Sequence, residues 1–438
     1  MPGLFERDFI QRLLPRAATS SDTGRALGLA AAAMATNVIS LALTIVFARL
    51  LGTSGYGAMA ALMSAFLVLG IPGQALQVEF AKRVSTSPDH GRVAGELARW
   101  VRFLVAAAAT TAVVGLLLRD PIAGLIGVEE VPYGAAGVLP TACIWLLLSV
   151  QRGVLQGIGS YRLVGFSLMG EALSRLAVGT ALIGAGLGAT GAFLGSGVSM
   201  AVIAVILGRN LGAALPDPST LSSRARSMRD TLRGAVVPLV ALALLAWLQN
   251  VDVIVVKHQA ATDASASSYA AASVAAKTIF WVSVGLGLFL LPEAARRSHA
   301  GQDGRSVLVR TLGIVALVAV PMVAVYALAG QLLLETVFGS RLDLASHALP
   351  WLGAAMSILA CGYLFVQYLL AVQSRIFLAA LAVAAVAQPF VLIAAGTDLK
   401  AVALGLLAIQ SAWVAVMAAL SFRSRAWAPA PEPQAASQ

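Results

Sequence analysis

The sequence predicts an all-α integral membrane protein: twelve transmembrane helices in two parallel six-helix lobes related by a pseudo-two-fold axis along the membrane normal. Three observations carry that reading. Of 438 residues, 59% are hydrophobic and only 11% charged, with a mean hydropathy of +0.86, which excludes a soluble globular chain. Apolar runs recur along the whole length, each near the roughly 20 residues a helix needs to cross hydrocarbon, and an outer-membrane barrel would instead show short segments of alternating polarity. The chain also repeats itself at its midpoint, as set out below.

The spans follow in order from apolar windows with charged or Gly/Pro-rich edges. The first, 26–48, lies between Arg25 and Arg49, and the second, 57–78, ends at Glu79. The third, 101–118, stops at Arg119; the fourth covers 135–157; the fifth, 163–184, follows Arg162; the sixth, 187–208, ends before Arg209. A second set repeats the arrangement: 234–257 up to Lys257, 268–291 before Pro292 and Glu293, 307–329 after Arg305, 347–372, 375–395 from Arg375, and 399–421 before Arg423. The segment 209–233 holds five Arg, Pro216 and Pro218 and reads as the inter-lobe linker, which leaves lobes at 26–208 and 234–421. Residues 1–25 read as a cytoplasmic N-terminal segment in which 4–14 lies on the inner surface, and 422–438 as a tail too poor in apolar residues to fold.

Charge sets the orientation. Thirty Lys and Arg against 20 Asp and Glu would suggest nucleic acid in a soluble chain, but here the basic residues sit in alternate gaps. Five of them, Arg49, Arg119, Lys257, Arg341 and Lys400, fall on the outer side; the inner segments hold all the others except Arg175 and Lys277, with Arg152 counted among them at the foot of the fourth span. The positive-inside rule then places both termini on the cytoplasmic side, with lipids rather than nucleic acid as the surroundings. The first 25 residues lack a signal-peptide pattern, so the first run is expected to remain as a helix. Cys143 and Cys361 both lie inside apolar runs and read as buried thiols.

An offset of 213 residues puts Asn37 on Asn250, Tyr56 on Tyr269, Arg83 on Arg296, Ser85 on Ser298, Gly91 on Gly304 and Arg92 on Arg305. Polar identities in one register over two helices and a loop indicate duplication, and six spans per half make the repeats parallel. Such lobes predict a cleft near the midplane and a transporter rather than a channel.

The words F-A-R-L-L-G-T-S-G-Y-G (Phe47 to Gly57), N-V-D-V-I-V-V-K-H (Asn250 to His258), Y-A-A-A-S-V-A-A-K-T-I-F (Tyr269 to Phe280) and L-F-L-L-P-E-A-A-R-R (Leu288 to Arg297) resemble the multidrug/oligosaccharidyl-lipid/polysaccharide (MOP) exporter superfamily. Within it they are similar to the bacterial oligosaccharide flippases of the polysaccharide biosynthesis (Wzx-like) branch. The loop after the second span, E-F-A-K-R-V-S-T-S-P-D-H-G-R, does not match the major facilitator signature, and the chain is two helices shorter than the lipid II flippases. The resemblance implies a polyprenyl diphosphate-linked oligosaccharide or polysaccharide precursor as substrate, with glycosyltransferase or polymerase components as further partners.

No motif indicates an enzyme, a cofactor or a metal. Gly186, Gly188 and Gly191 form G-x-G-x-x-G, but with no strand before it the motif reads as a tight outer turn. The sequence has no Walker A motif, and His90, His258, His299 and His347 show no ligand spacing. Ionisable groups at membrane depth are more informative, because each costs several kcal/mol unless it meets a partner or a wet cavity. Glu171 and Arg175 lie four apart on one face, either a self-neutralised pair or a cavity-lining one. Asp252 and Lys277 sit at similar depth on consecutive spans, near enough to pair. Arg175 and Lys277 are the expected diphosphate-binding cations, with Arg49, Asn37 and Asn250 as further substrate contacts; Glu171 and Asp252 are the expected ion-coupling carboxylates. Arg49, at the outer end of its span, reads equally as a side chain snorkelling to headgroups, and Asp252 with Lys277 as a structural pair. Glu79, Arg83, Glu293 and Arg296 are either solvated helix ends or an inner gate closed by cross-lobe pairing.

Together these features predict a flippase that moves a lipid-linked saccharide to the outer leaflet by alternating access. A cation-coupled multidrug exporter of the same superfamily and a scaffold for polysaccharide synthesis are the alternatives.

Overall fold

The computed structural model describes residues 22–87, 90–215, 227–259, 263–338 and 344–423. Residues 4–14, the middle of the linker, Arg341 and the tail beyond Arg423 lie outside them, and the first two residues of the predicted tail, 422 and 423, are helical. Within them every regular element is helical, as hydrocarbon demands of a chain that must satisfy its backbone internally. The elements are α1 (Asp22–Ser85), α2 (His90–Leu117), α3 (Arg119–Ile126), α4 (Pro132–Ala136), α5 (Val138–Gly157), α6 (Tyr161–Leu182), α7 (Gly188–Ala214), α8 (Met228–Gln259), α9 (Asp263–His299), α10 (Arg305–Phe338), α11 (Leu349–Ala371), α12 (Phe377–Ala394) and α13 (Leu399–Arg423).

Among the described residues eleven helical stretches are long and apolar enough to cross a membrane, one of which, Tyr161–Ala214, covers the fifth and sixth predicted spans together, and this is a multi-pass membrane protein. Helical residues run without a gap from Asp22 to Ser85, through the predicted first outer loop, but α1 is two limbs that run in opposite directions rather than one straight helix. Ala32 packs on Gly165 and the Phe47 ring on Gly179, so the first limb runs along α6; Gln77 packs on Gly153 and Val84 on Gly157, so the second runs along α5. Because α5 and α6 are joined by a three-residue turn and run oppositely, α1 reverses between Phe47 and Leu62. The second predicted outer loop contains two short helices, α3 and α4. The linker is shorter than expected, because α7 persists to Ala214 and α8 begins at Met228. The predicted end of the ninth span, 329, is where Ala329 leaves helical geometry (φ −133°), after which α10 continues to Phe338.

G-x-G-x-x-G forms a turn of π-helix (Ile183–Leu187) between α6 and α7 in which Gly186 and Gly188 take φ of 89° and 50°. These are backbone angles that a side chain strains, which accounts for glycine there without any nucleotide.

The chain divides into two compact units, one of residues 32–243 and the other of residues 1–31 with 244–438. This partition exchanges two helix ends relative to the predicted lobes: α1 begins in the second unit and α8 begins in the first. Each unit packs by close approach of small residues. A Cβ on Gly153 would lie 2.6 Å from the Gln77 carbonyl oxygen, and one on Gly362 would lie 2.4 Å from the Trp413 indole. Between helices immersed in lipid, such contacts supply the packing that hydrophobic burial supplies in water. Large apolar side chains left exposed, Leu317, Leu328 and Val383 among them, are what a lipid-facing surface requires.

Candidate functional site

In the unit of residues 32–243, a cavity of about 230 Å³ is bounded by both limbs of α1, by α5, α6 and α7. The first limb contributes Thr36; the second contributes Phe66, Leu67, Gly70 and Gln74; α5 contributes Trp145 and Arg152; α6 contributes Leu168, Glu171, Ala172 and Arg175; and α7 contributes Met200. Trp145 fixes one wall. Its indole Nε1 donates to the Gly70 carbonyl at 3.0 Å and its ring meets Phe66 edge to face at 6.4 Å.

Three ionisable groups line the cavity. Arg152 is 1% exposed and donates from Nε to Ser167 Oγ at 2.9 Å, from Nη2 to the Ser167 carbonyl at 2.9 Å, and from Nη2 to Glu171 Oε2 at 2.8 Å. Its guanidinium carbon lies 5.9 Å from the Trp145 ring centroid. The other Glu171 oxygen is 3.8 Å from Arg175 Nη1, which is beyond hydrogen-bond range. Arg175 instead donates from Nε to Ser196 Oγ at 3.3 Å. The intrahelical pair expected from the sequence is therefore the weaker one. Arg152, assigned to the inner face because it lies near the end of its run, is the principal partner of Glu171. Its signal was depth: at 1.5 Å per residue it sits about 7.5 Å inside the helix end.

The other candidates divide between the units. Asn37 is half-buried beside Thr36, outside the cavity lining, and Arg49 is exposed. In the second unit Asp252 is fully buried, and its Oδ2 accepts from Tyr269 Oη at 3.2 Å and Ser273 Oγ at 3.1 Å. Its Oδ1 has no partner among the described residues. Lys277 Nζ donates to Asn250 Oδ1 at 3.1 Å, so Asp252 and Lys277, though at similar depth, do not form an ion pair. The reason is register. Antiparallel packing of α8 on α9 places Asn250 opposite Lys277 and leaves Asp252 opposite the hydroxyls one and two turns away.

At the ends of the second and eighth spans, each acid is met by bases of its own helix. Glu79 pairs with Lys82 at 3.0 Å and with Arg83 at 2.9 Å. Arg83 also pairs with Glu96 and donates to Thr231 Oγ1 at 2.8 Å, and Thr231 donates to Glu96 at 2.7 Å. Glu293 pairs with Arg296 at 2.7 Å and Arg297 at 2.9 Å. The pairing shown is thus within each unit, and Glu96, Thr231 and Arg297 join groups the sequence had left incomplete. Among the described residues, no cluster of His, Cys, Asp or Glu could hold a metal ion.

No family model matches the chain, and no curated protein sequence does. Solved structures do. A mutant of the Vibrio cholerae MATE transporter VcmN superimposes with a TM-score of 0.73 at 16% identity, over 93% of this chain and 99% of that one. A MOP superfamily transporter from Pyrococcus furiosus, whose binding pocket is described as having a reverse polarity that suggests a different function, gives 0.73 at 14% identity over 92% and 95%. An outward-facing multidrug resistance MATE family transporter gives 0.71 at 15% identity over 92% and 98%. The fold is that of the MATE transporters of the MOP superfamily. At these identities the likeness is one of fold, so what the cavity does rests on its own residues.

Proposed function

We propose that this protein is a transporter that carries a polyprenyl diphosphate-linked saccharide from the inner to the outer leaflet of a bacterial inner membrane, with both termini cytoplasmic. The observation that carries this reading is the charge of the cavity: two guanidinium groups, Arg152 and Arg175, face one carboxylate, Glu171. A cation in a site of low dielectric attracts phosphate far more strongly than it would in water. The volume fits the same class of ligand. At about 230 Å³ the cavity is smaller than the roughly 300–1,000 Å³ of a drug-sized pocket, so it suits a headgroup whose lipid and distal sugars lie outside. Trp145, Phe66, Thr36 and Gln74 offer the aromatic and hydrogen-bonding surface that a sugar ring uses. Asp252, with one carboxylate oxygen unpartnered, is the stronger candidate for ion coupling, because Glu171 is already committed to Arg152.

A second reading, cation-coupled multidrug export, is favoured by the multidrug resistance transporter among the structural neighbours and by an acid that lines the same cavity as two aromatic side chains. The protein in lipid nanodiscs separates the two. The first reading expects saturable binding of a polyprenyl diphosphate, weakened by Arg175→Ala; tight binding of ethidium with no binding of the diphosphate would establish the second instead.

A further inference from the structure

We infer that Arg152 sets the sign of the cavity: by taking the charge of Glu171 it leaves Arg175 free to bind an anion. The inference deepens the functional reading above and rests on it for the nature of the ligand.

The geometry is asymmetric in a way that matters. Glu171 lies between two arginines, one on α5 and one on its own helix. Arg152 holds it at 2.8 Å and is itself fixed by both polar groups of Ser167, whereas Arg175 stands 3.8 Å from the other oxygen. The α5 guanidinium is 1% exposed and has Nε and Nη2 committed to Ser167 and Glu171, so it is the less available of the two to a ligand. Arg175 has a side chain 20% exposed and a single hydrogen bond of 3.3 Å, to Ser196. Arg152 is therefore a positioning residue and Arg175 the binding one. Without Arg152, Glu171 has only Arg175 to neutralise it. A small rotation would close the 3.8 Å gap, and the two would cancel, leaving a neutral cavity. The same three side chains thus encode an anion site or a neutral one, depending on residue 152 alone.

The test uses nanodisc-embedded full-length protein, with farnesyl diphosphate as the anionic probe and ethidium as the cationic one. Arg152→Gln should weaken farnesyl diphosphate binding by about tenfold or more and tighten ethidium binding, since an unpaired buried carboxylate re-pairs with the nearest cation. Adding Glu171→Gln should restore diphosphate binding to within about threefold of wild type, because the two sites are coupled through one carboxylate. Arg152→Lys should retain it. A merely structural role for Arg152 would make the double variant no better than the single one. A folded Arg152→Gln variant that binds both probes within about twofold of wild type, or a double variant as weak as the single, overturns the inference. Should Arg152→Gln not fold, Glu171→Gln alone decides: it should strengthen diphosphate binding and weaken ethidium binding, and unchanged affinities for both overturn the inference. A wild-type protein that fails to bind farnesyl diphosphate refutes the functional reading instead, while the response of ethidium to the variants still decides the role of Arg152.

Discussion

Thr231 is the most economical place to ask whether the polar cluster on α1, α2 and α8 holds the first turns of α8 in place. It is fully buried, donates to Glu96 at 2.7 Å and accepts from Arg83 at 2.8 Å. Thr231→Val removes both bonds with almost no change in shape. A hydrogen bond to a charged group is worth about 1.5–3 kcal/mol, but Arg83 and Glu96 keep each other, so the expected loss is about 2–3 kcal/mol rather than twice that. At about 1.4 kcal/mol per tenfold, local opening of the helix start should become about 30- to 150-fold more frequent. Hydrogen exchange of peptides covering 228–235 reads this directly, and trypsin cleavage at Arg229 and Arg233 reports the same event. The control is Thr311→Val on α10, whose buried hydroxyl bonds only carbonyls of its own helix, Val307 at 3.2 Å and Leu308 at 2.9 Å. Exchange at 228–235 within about twofold of wild type in Thr231→Val, or an equal increase caused by Thr311→Val, would refute the reasoning, since local opening free energies follow the contacts that oppose them.

Further outcomes are expected. Gly153→Ala should lower the melting temperature in nanodiscs, because its Cβ would lie 2.6 Å from the immobile Gln77 carbonyl and overpacking costs about 1–3 kcal/mol; Gly95→Ala, with open space around its Cβ, should raise it by relieving about 0.5–1 kcal/mol of helix-glycine entropy. Arg175→Ala should reduce polymer export in a complementation assay more than Arg49→Ala, since the first lines the cavity and the second is exposed; equal export at equal protein levels removes Arg175 from the site. Asp252→Asn should preserve the bonds from Tyr269 and Ser273 and the protein level, yet abolish any dependence of transport on a proton or sodium gradient; an unchanged dependence rules Asp252 out as the coupling group.

What the sequence made legible and what it concealed differ by one geometric coordinate. An apolar run reports depth along the membrane normal, because hydrocarbon admits a helical backbone and little else, so the spans and the glycine turn at Gly186 and Gly188 were readable. Rotation about the helix axis and register against a neighbour are not written in any one run. Glu171 and Arg175 were found as a pair because four residues on one helix fix their mutual rotation. Arg152, nineteen positions from Glu171, and Thr231, 135 from Glu96, required knowledge of which faces of which helices meet. The repeat gave no help with them. The offset that aligns Asn37 with Asn250 places Ile39 at Asp252 and Ser64 at Lys277, so duplication preserved the scaffold while the ionisable groups diverged. The preference of Glu171 for Arg152 follows from the same geometry. Ser167 and Glu171 are four apart on α6, and together they present a carbonyl, a hydroxyl and a carboxylate to one planar guanidinium approaching from the side. Arg175, rising from the same helix as Glu171, reaches only one oxygen of it, at 3.8 Å. The better-coordinated cation takes the carboxylate, and Arg175 is left with its single hydrogen bond to Ser196.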